Sequence, residues 1–205
     1  MTEKIIFFVE EPSAKEALQL ILPKIVGDLE TKIINFQCKD DLKKNLKARL
    51  AGYTWIPSNW KIFVLVDRDD DNCRVLKGEL EQISLSAGLL TKTSTGAVGN
   101  FHVINRIIIE ELEAWFFGDW GAVRTAYPRV PATVPNRSPY RDPDSIAGGT
   151  WEALERLMQR AGYYHSGLRK IECARNISKN MSVDHNNSRS FVEFRDAVRH
   201  ILHLP

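Results

Sequence analysis

The chain has 205 residues, of which 43% are hydrophobic and 26% charged, with a formal net charge of +2. That is the profile of an ordinary globular protein of one domain, or of one domain with a substantial appendage. No apolar run approaches the roughly 20 residues that span a bilayer, and Met1 leads directly into a core strand instead of a signal peptide. Cys38, Cys73 and Cys173 are scattered, with no C-x-x-C pair, which argues against a disulfide framework or a zinc site and predicts a cytoplasmic protein with no membrane partner.

Lys4 to Val9, KIIFFV, reads as a buried strand and ends in Glu10-Glu11. Pro12-Ser13 open a helix, for which Ser13 and Glu16 have capping-box spacing, and Gly27 marks its end. Thr31 to Phe36 is a second strand. Asp40 to Leu50 is an amphipathic helix with acids in its first turn, and Thr54 to Trp60 is a loop. Lys61 to Val66, KIFVLV, is β-branched, aromatic and too short for a helix, so it reads as a strand buried on both faces. Asp67-Arg68-Asp69-Asp70-Asp71 follow it, with Asp70 and Asp71 suited to the start of a helix that runs through Val75, Leu76, Leu80 and Ile83 to Gly88. Leu89 to Gly99 is polar, and Phe101 to Ile109 is a fourth strand that runs into Glu110-Glu111-Leu112-Glu113-Ala114-Trp115. Three strand–helix–strand units predict an α/β fold, a mostly parallel sheet of about four strands flanked by helices.

The composition changes after Pro128. Residues 128–149 hold five prolines, two glycines and three arginines and read as a long loop. Helices are predicted over Trp151 to Ala161, Leu168 to Ile177 and Ser190 to Leu202, the last with a second capping-box spacing, Ser190 to Glu193. The predicted organisation is an α/β core over 1–127 and a helical extension over 128–205 packed on that core. From Trp120 onward there are 13 Lys+Arg against 8 Asp+Glu, whereas the residues before it hold 15 against 18. An acidic first part with a basic second part suits a cation centre beside a polyanion surface, although solvated helices that carry Arg give the same count.

Glu10-Glu11, Asp67-x-Asp69 and Glu110 to Glu113 all follow strands. A parallel sheet places them on one edge, where open α/β sheets bind ligands. So many carboxylates repel unless a positive group joins them, and a hard divalent cation, Mg²⁺ or Mn²⁺, is the expected neutraliser, as in phosphoryl chemistry. Asp-rich segments after strands are also ordinary turns. An EF-hand is excluded, because counting from Asp67 position six is Asn72 and position twelve is Gly78. A phosphate-accepting receiver domain needs a Lys after a late strand, and none occurs between Lys92 and Lys170. His102, His165, His185, His200 and His203 form no ligand or nucleophile pair, and no Walker A, G-x-S-x-G or G-x-G-x-x-G motif is present.

The segments FFVEEPS (Phe7 to Ser13) and FVLVDRDDD (Phe63 to Asp71) resemble the Toprim domain, with its Glu after strand one and Asp-x-Asp after strand three. NRIIIEELEAWFFGD (Asn105 to Asp119) and SRSFVEF (Ser188 to Phe194) are similar to small bacterial Toprim-like proteins linked to phage defence and often encoded beside an ATPase. The resemblance implies that Glu10, Asp67 and Asp69 are catalytic, metal-binding residues and that Glu111 and Glu113 are further metal ligands. The chain departs from the pattern at Glu11, where Gly is usual, and at Ala14, where OLD-type nucleases carry an acid. Missing parts exclude a topoisomerase or primase: there is no room for a DNA gate and no zinc-binding Cys set. The implied function is a Mg²⁺- or Mn²⁺-dependent nuclease that hydrolyses DNA or RNA phosphodiesters, the effector of a bacterial defence system with an ATPase partner. The alternative is a non-catalytic partner-binding or sensor subunit. Arg124, Arg129, Arg137, Arg141 and Lys170 are the candidate contacts to the nucleic-acid backbone.

Overall fold

In the computed structural model of the protein the described residues are 2–96 and 99–204; Met1, part of the polar stretch before the fourth strand (residues 97 and 98) and the last residue lie outside them. Four strands, β1 (Lys4–Val9), β2 (Glu30–Asn35), β3 (Trp60–Asp67) and β4 (Val103–Ile108), form one sheet in the order β2-β1-β3-β4, and every pairing is parallel. The α/β class expected from the alternating elements is therefore the observed one. Crossover helices cover both faces: α1 (Pro12–Val26) links β1 to β2, α2 (Lys39–Ala51) links β2 to β3, and α3 (Cys73–Ser86) follows β3. The polar stretch before β4 holds a one-turn helix, α4 (Lys92–Thr95), with a Thr91–Ser94 capping box.

Alternation along the strands divides the core. Ile5, Phe7, Val9, Phe63 and Leu65 point to the face covered by α1, while Ile6, Phe8, Ile62, Val64 and Val66 point to Leu42, Leu46 and Leu50 of α2 and Leu76 and Leu80 of α3. Period-two alternation with both faces buried is why β1 and β3 read as unbroken apolar runs.

After β4 come two short helices that periodicity does not predict, α5 (Glu113–Gly118) and α6 (Trp120–Ala126). They are too short to show a repeating apolar stripe. The proline-rich segment is a chain of three 3₁₀ turns, Val134–Asn136, Ser138–Tyr140 and Pro143–Ser145, more ordered than the loop expected there. The last helices are α7 (Thr150–Arg160), α8 (Lys170–Ser178) and α9 (Arg189–Leu202). Their apolar residues share one hydrophobic cluster with β1, β3 and α1. Among the described residues no helix is long and apolar enough to cross a membrane.

Two of the expected caps are corrected. Helix α1 begins at Pro12, its preceding Glu11 makes no side-chain cap, and Glu16 pairs instead with Arg175 Nε at 2.8 Å. Proline preset for the first helical turn starts the helix one residue before Ser13. In α9 the cap is Ser188, which accepts from Phe191 N–H, so the box expected at Ser190 lies two residues too late.

The segments Glu110 to Asp119 and Ser188 to Phe194 meet in the core. Trp115 is fully buried, stacks on Phe194 at 5.0 Å, meets Phe191 edge-on at 5.1 Å and donates its indole N–H to Ser190 Oγ at 3.1 Å. Asn186 Nδ2 donates to Trp115 O at 2.8 Å. A Cβ on Gly118 would stand 2.1 Å from Asn186 Oδ1, so only glycine lets the two segments approach this closely. Asp119 caps α6 through Ala122 N–H and also accepts from Ser182 N–H at 2.7 Å.

Candidate acidic site

Strand order places a crevice between β1 and β3. Chain direction leaves β1 toward β2 on one side and leaves β3 toward β4 on the other, and ligands of open α/β sheets sit where that reversal occurs. Glu10 and Asp67 stand at this point. Glu10 Oε2 accepts from Asp67 N–H at 3.1 Å, so the first carboxylate is tied to the backbone that presents the second.

Asp67 is 7% exposed. Burial, then the charges of Glu10 and Glu113, hold its carboxyl well above the usual range. Glu10 is pushed up to about 7, chiefly by burial, with the Asp67 N–H opposing the shift. Glu113, 2% exposed, is also pushed up to about 7 by burial, and the Lys170 ammonium works against that shift. Its Oε2 is buried with no hydrogen-bond partner among the described residues, an orphaned acceptor of a kind that costs stability unless something positive meets it. Glu11 adds its charge to both Asp67 and Glu113, and Ser13 Oγ donates to it.

Beside this buried group lies an open cleft of about 560 Å³, lined by Arg68, Asp69, Asp70, Glu110, Glu111, residues 145–149 and Glu152. The turns after β3 and β4 form its wall. Asp69 and Glu110 both adopt left-handed backbone, with φ of 47° and 59°. Asp69 N–H donates to Glu110 O at 2.9 Å, Arg68 N–H to Ile108 O at 2.8 Å, and the Arg68 guanidinium pairs with the Glu110 carboxylate. Two adjacent strained non-glycine residues, fastened to each other, are the kind of backbone that clusters at functional sites.

Two lysines serve this edge. Lys39, at the start of α2, reaches Asp69 at 2.5 Å, Asp71 at 3.0 Å and the carbonyl of Arg68 at 3.1 Å. Burial disfavours its charge, but the hydrogen bonds to Asp69 and Asp71 outweigh burial and its pKa ends raised. Lys170, at the start of α8, lies over the Trp151 ring at 4.9 Å. Burial opposes its charge too, yet Glu113, Glu11, Glu111 and Asp67 together raise its pKa.

The structure thus brings Glu10, Asp67 and Glu113 together and puts Asp69 on the cleft rim. Glu111 has a different occupation: its Oε2 accepts from Thr150 N–H, Thr150 Oγ1 and Trp151 N–H at 2.9–3.0 Å, which caps α7 and leaves that oxygen committed. Asn72, not Asp70 or Asp71, caps α3, accepting from Arg74 and Val75 N–H. Lys170 stands among the acids. Arg141 lines a groove that shares residues 145–147 with the cleft, whereas Arg124, Arg129 and Arg137 line neither. Arg129 is spent on Gly162 O at 2.7 Å and on the Tyr163 ring. Sequence reasoning misses Lys39, whose only signal is the Lys-Asp-Asp run at the start of α2. Among the described residues no three His, Cys, Asp or Glu side chains already form a metal cage.

A family described as a domain of unknown function (DUF4276) matches residues 9–199. No curated protein matches the chain. Two solved structures are similar to it: the C-terminal region of the Burkholderia pseudomallei OLD protein, at 19% identity and TM-score 0.48, covering 97% of this chain and 99% of that one; and the C-terminal region of the Xanthomonas campestris pv. campestris OLD protein, at 18% identity and TM-score 0.46, covering 99% and 98%.

Proposed function

As the chain belongs to the DUF4276 family, whose description carries no activity, we propose from the acidic site that it is a Toprim-type nuclease, dependent on Mg²⁺ or Mn²⁺ and hydrolysing nucleic-acid phosphodiesters. One observation carries the reading: Glu10 and Asp67 meet across the β1/β3 crevice with the unpartnered Glu113 Oε2 buried beside them. Three carboxylates raised by burial first and by neighbouring acids second suit a divalent cation with hard oxygen preference, and their donor set contains no sulfur or imidazole. Glu10, Asp67 and Glu113 would hold the ion, with Asp69 joining from the rim once Lys39 releases it. A bound divalent cation supplies charge neutralisation for a phosphate and a more acidic bound water.

The chain's own residues supply the rest. Glu10 stands where it would either ligate the ion or, left uncoordinated, exchange a proton with an attacking water or a leaving oxygen. Lys170, held by Trp151 and the acids, supplies positive charge to a phosphate beside Glu113. Arg141 extends that charge along the neighbouring groove, and Arg124, Arg129 and Arg137 have the weaker claim. The resemblance to Toprim-like proteins encoded beside an ATPase supports a cytoplasmic role as effector of a bacterial defence system with an ATPase partner. Purified protein incubated with Mg²⁺ or Mn²⁺ and single- and double-stranded DNA and RNA, with and without that ATPase, tests the reading. Cutting that Asp67→Ala removes supports it; a variant that cuts as well as the wild type rejects the site.

Lys39 favours a second reading, a non-catalytic partner-binding or sensor subunit, since its ammonium already neutralises Asp69 and Asp71. Calorimetric titration separates the two. Undetectable binding of Mg²⁺ and Mn²⁺, with an ATPase complex that survives Asp69→Ala, selects the second.

A further inference from the structure

At the opposite end of the sheet from the carboxylates, Trp55 is 68% exposed. It is not loose. Its indole N–H donates to Gly52 O at 2.7 Å, and its ring packs edge-on against Trp60 at 5.7 Å. The Lys4 ammonium lies over the Trp60 ring at 4.7 Å. With its one polar atom spent on the backbone, Trp55 offers a partner a flat aromatic face.

Around this face runs a groove of about 490 Å³ that carries Lys4, Lys32 and Arg49 and no acidic side chain in its lining. Lys4 pairs with Glu30 at the groove's edge, whereas Lys32 and Arg49 make no ion pair among the described residues. The groove lies beside β2, an edge strand of the sheet. Anchored aromatic surface interleaved with unneutralised cations is complementary to a chain that alternates flat rings with negative charge. In a duplex the ring faces are stacked away, so only an unpaired strand can use both features.

We infer that the Trp55 groove is a binding site for single-stranded nucleic acid, with a base stacked on Trp55 and phosphates on Lys32 and Arg49. The site stands apart from the acidic cleft. Trp60 and Asp67 are the two ends of β3, and seven steps of about 3.3 Å put them roughly 23 Å apart. The inference concerns binding alone and holds whether or not the acidic site cuts.

The test uses full-length Asp67→Ala protein in chelator, so that cleavage proposed for the acidic site does not consume the probe, titrated with oligothymidylate of roughly 16 nucleotides, the upper end of single-strand site sizes. Tryptophan fluorescence and probe anisotropy are read together. The expected result is quenching on binding, an affinity about ten-fold lower in Trp55→Ala, and near-normal binding in Trp55→Phe. Lys32→Glu with Arg49→Glu should weaken binding and reduce the salt slope by roughly 0.7 for each phosphate no longer neutralised. Trp55, Lys32 and Arg49 are exposed, so folding is not at stake, and circular dichroism of the variants verifies it. Absence of single-strand binding, or binding indifferent to Trp55 and to the Lys32/Arg49 pair, overturns the inference. So does displacement of the probe from this groove by duplex at equal concentration, or Trp55-dependent binding of polyglutamate as tight as that of the oligonucleotide, which would make the occupant an acidic protein.

Discussion

Asp67 shows how a single residue sets stability against function. It is buried, next to Glu10 and Glu113, with its carboxyl raised by burial first and those charges second. Replacing it with the isosteric Asn removes an ionisable group from that pocket. Asp67→Asn should therefore stabilise the divalent-free protein at about pH 8 by roughly 1–3 kcal/mol of unfolding free energy, seen as a higher melting temperature, while removing the proposed activity. Calorimetry and a cleavage assay on one preparation check both halves. A pH dependence follows from Glu10 and Glu113. Their folded pKa of about 7 lies above the ordinary 4.5, so the folded state holds more protons than the unfolded one between those values. Stability from this source is fully present below about pH 4.5 and is lost as pH rises through 7. Scanning calorimetry in chelator should show that decline, and added Mn²⁺ should flatten it. Glu10 and Asp67 are legible in the sequence because each is the first acid after an apolar run. Lys39 is not, since only the packing of the α2 start against the turn after β3 brings it to Asp69. The helix-capping duty of Glu111 is equally hidden, because its partners lie at residues 150 and 151 and depend on where α7 begins.

Among the elements, α5 and α9 meet through Trp115, Phe191 and Phe194, and they explain why two stretches so far apart read as one signature. Of Glu110 to Asp119, only Glu113 reaches the buried carboxylate group; Trp115, Gly118 and Asp119 hold the chain together. Phe194 sits between Trp115, Phe7 and Phe63, so Phe194→Ala should cost roughly 3–5 kcal/mol of stability by chemical denaturation. Gly118→Ala places a Cβ against Asn186 and Ser188 and should destabilise comparably, although the added group is one methyl. The strands are legible because alternation and apolar content agree: β1 has the expected bounds, and those of β2, β3 and β4 differ from the expected ones by one or two residues. The capping boxes fail because spacing alone does not decide between neighbouring candidates. Pro12 outranks Ser13, and Ser188 outranks Ser190 because the Asp144 carboxylate orders that turn, accepting from Ser188 Oγ, Ser190 Oγ and Arg189 N–H. No local pattern contains Asp144.

For the whole molecule, the parallel sheet sorts the chemistry to its two ends. The carboxyl edge collects Glu10, Asp67, Asp69 and Glu113 from β1, β3 and the turn into α5, and the late helix α8 returns Lys170 to them. Of the basic second part counted along the chain, Lys170 is the residue that reaches this edge, where it joins Lys39 of the acidic first part. The amino edge keeps Trp55, Lys32 and Arg49 together. Helix α8 is held to α1 by Lys24, whose ammonium donates to the carbonyls of Ser178, Lys179 and Met181 at 2.8–2.9 Å. That clamp keeps the helix bearing Lys170 against the core. If the carboxyl edge is the divalent-dependent nuclease centre proposed, the deciding quantity is the rate of nucleic-acid cleavage in Mg²⁺ or Mn²⁺ by wild type and Asp67→Ala, with and without the proposed ATPase partner. The wild type should cut, chelator should abolish the cutting, and Asp67→Ala should slow it by about a hundred-fold or more. Equal cutting by the two proteins, or cutting that persists in chelator, contradicts the proposal.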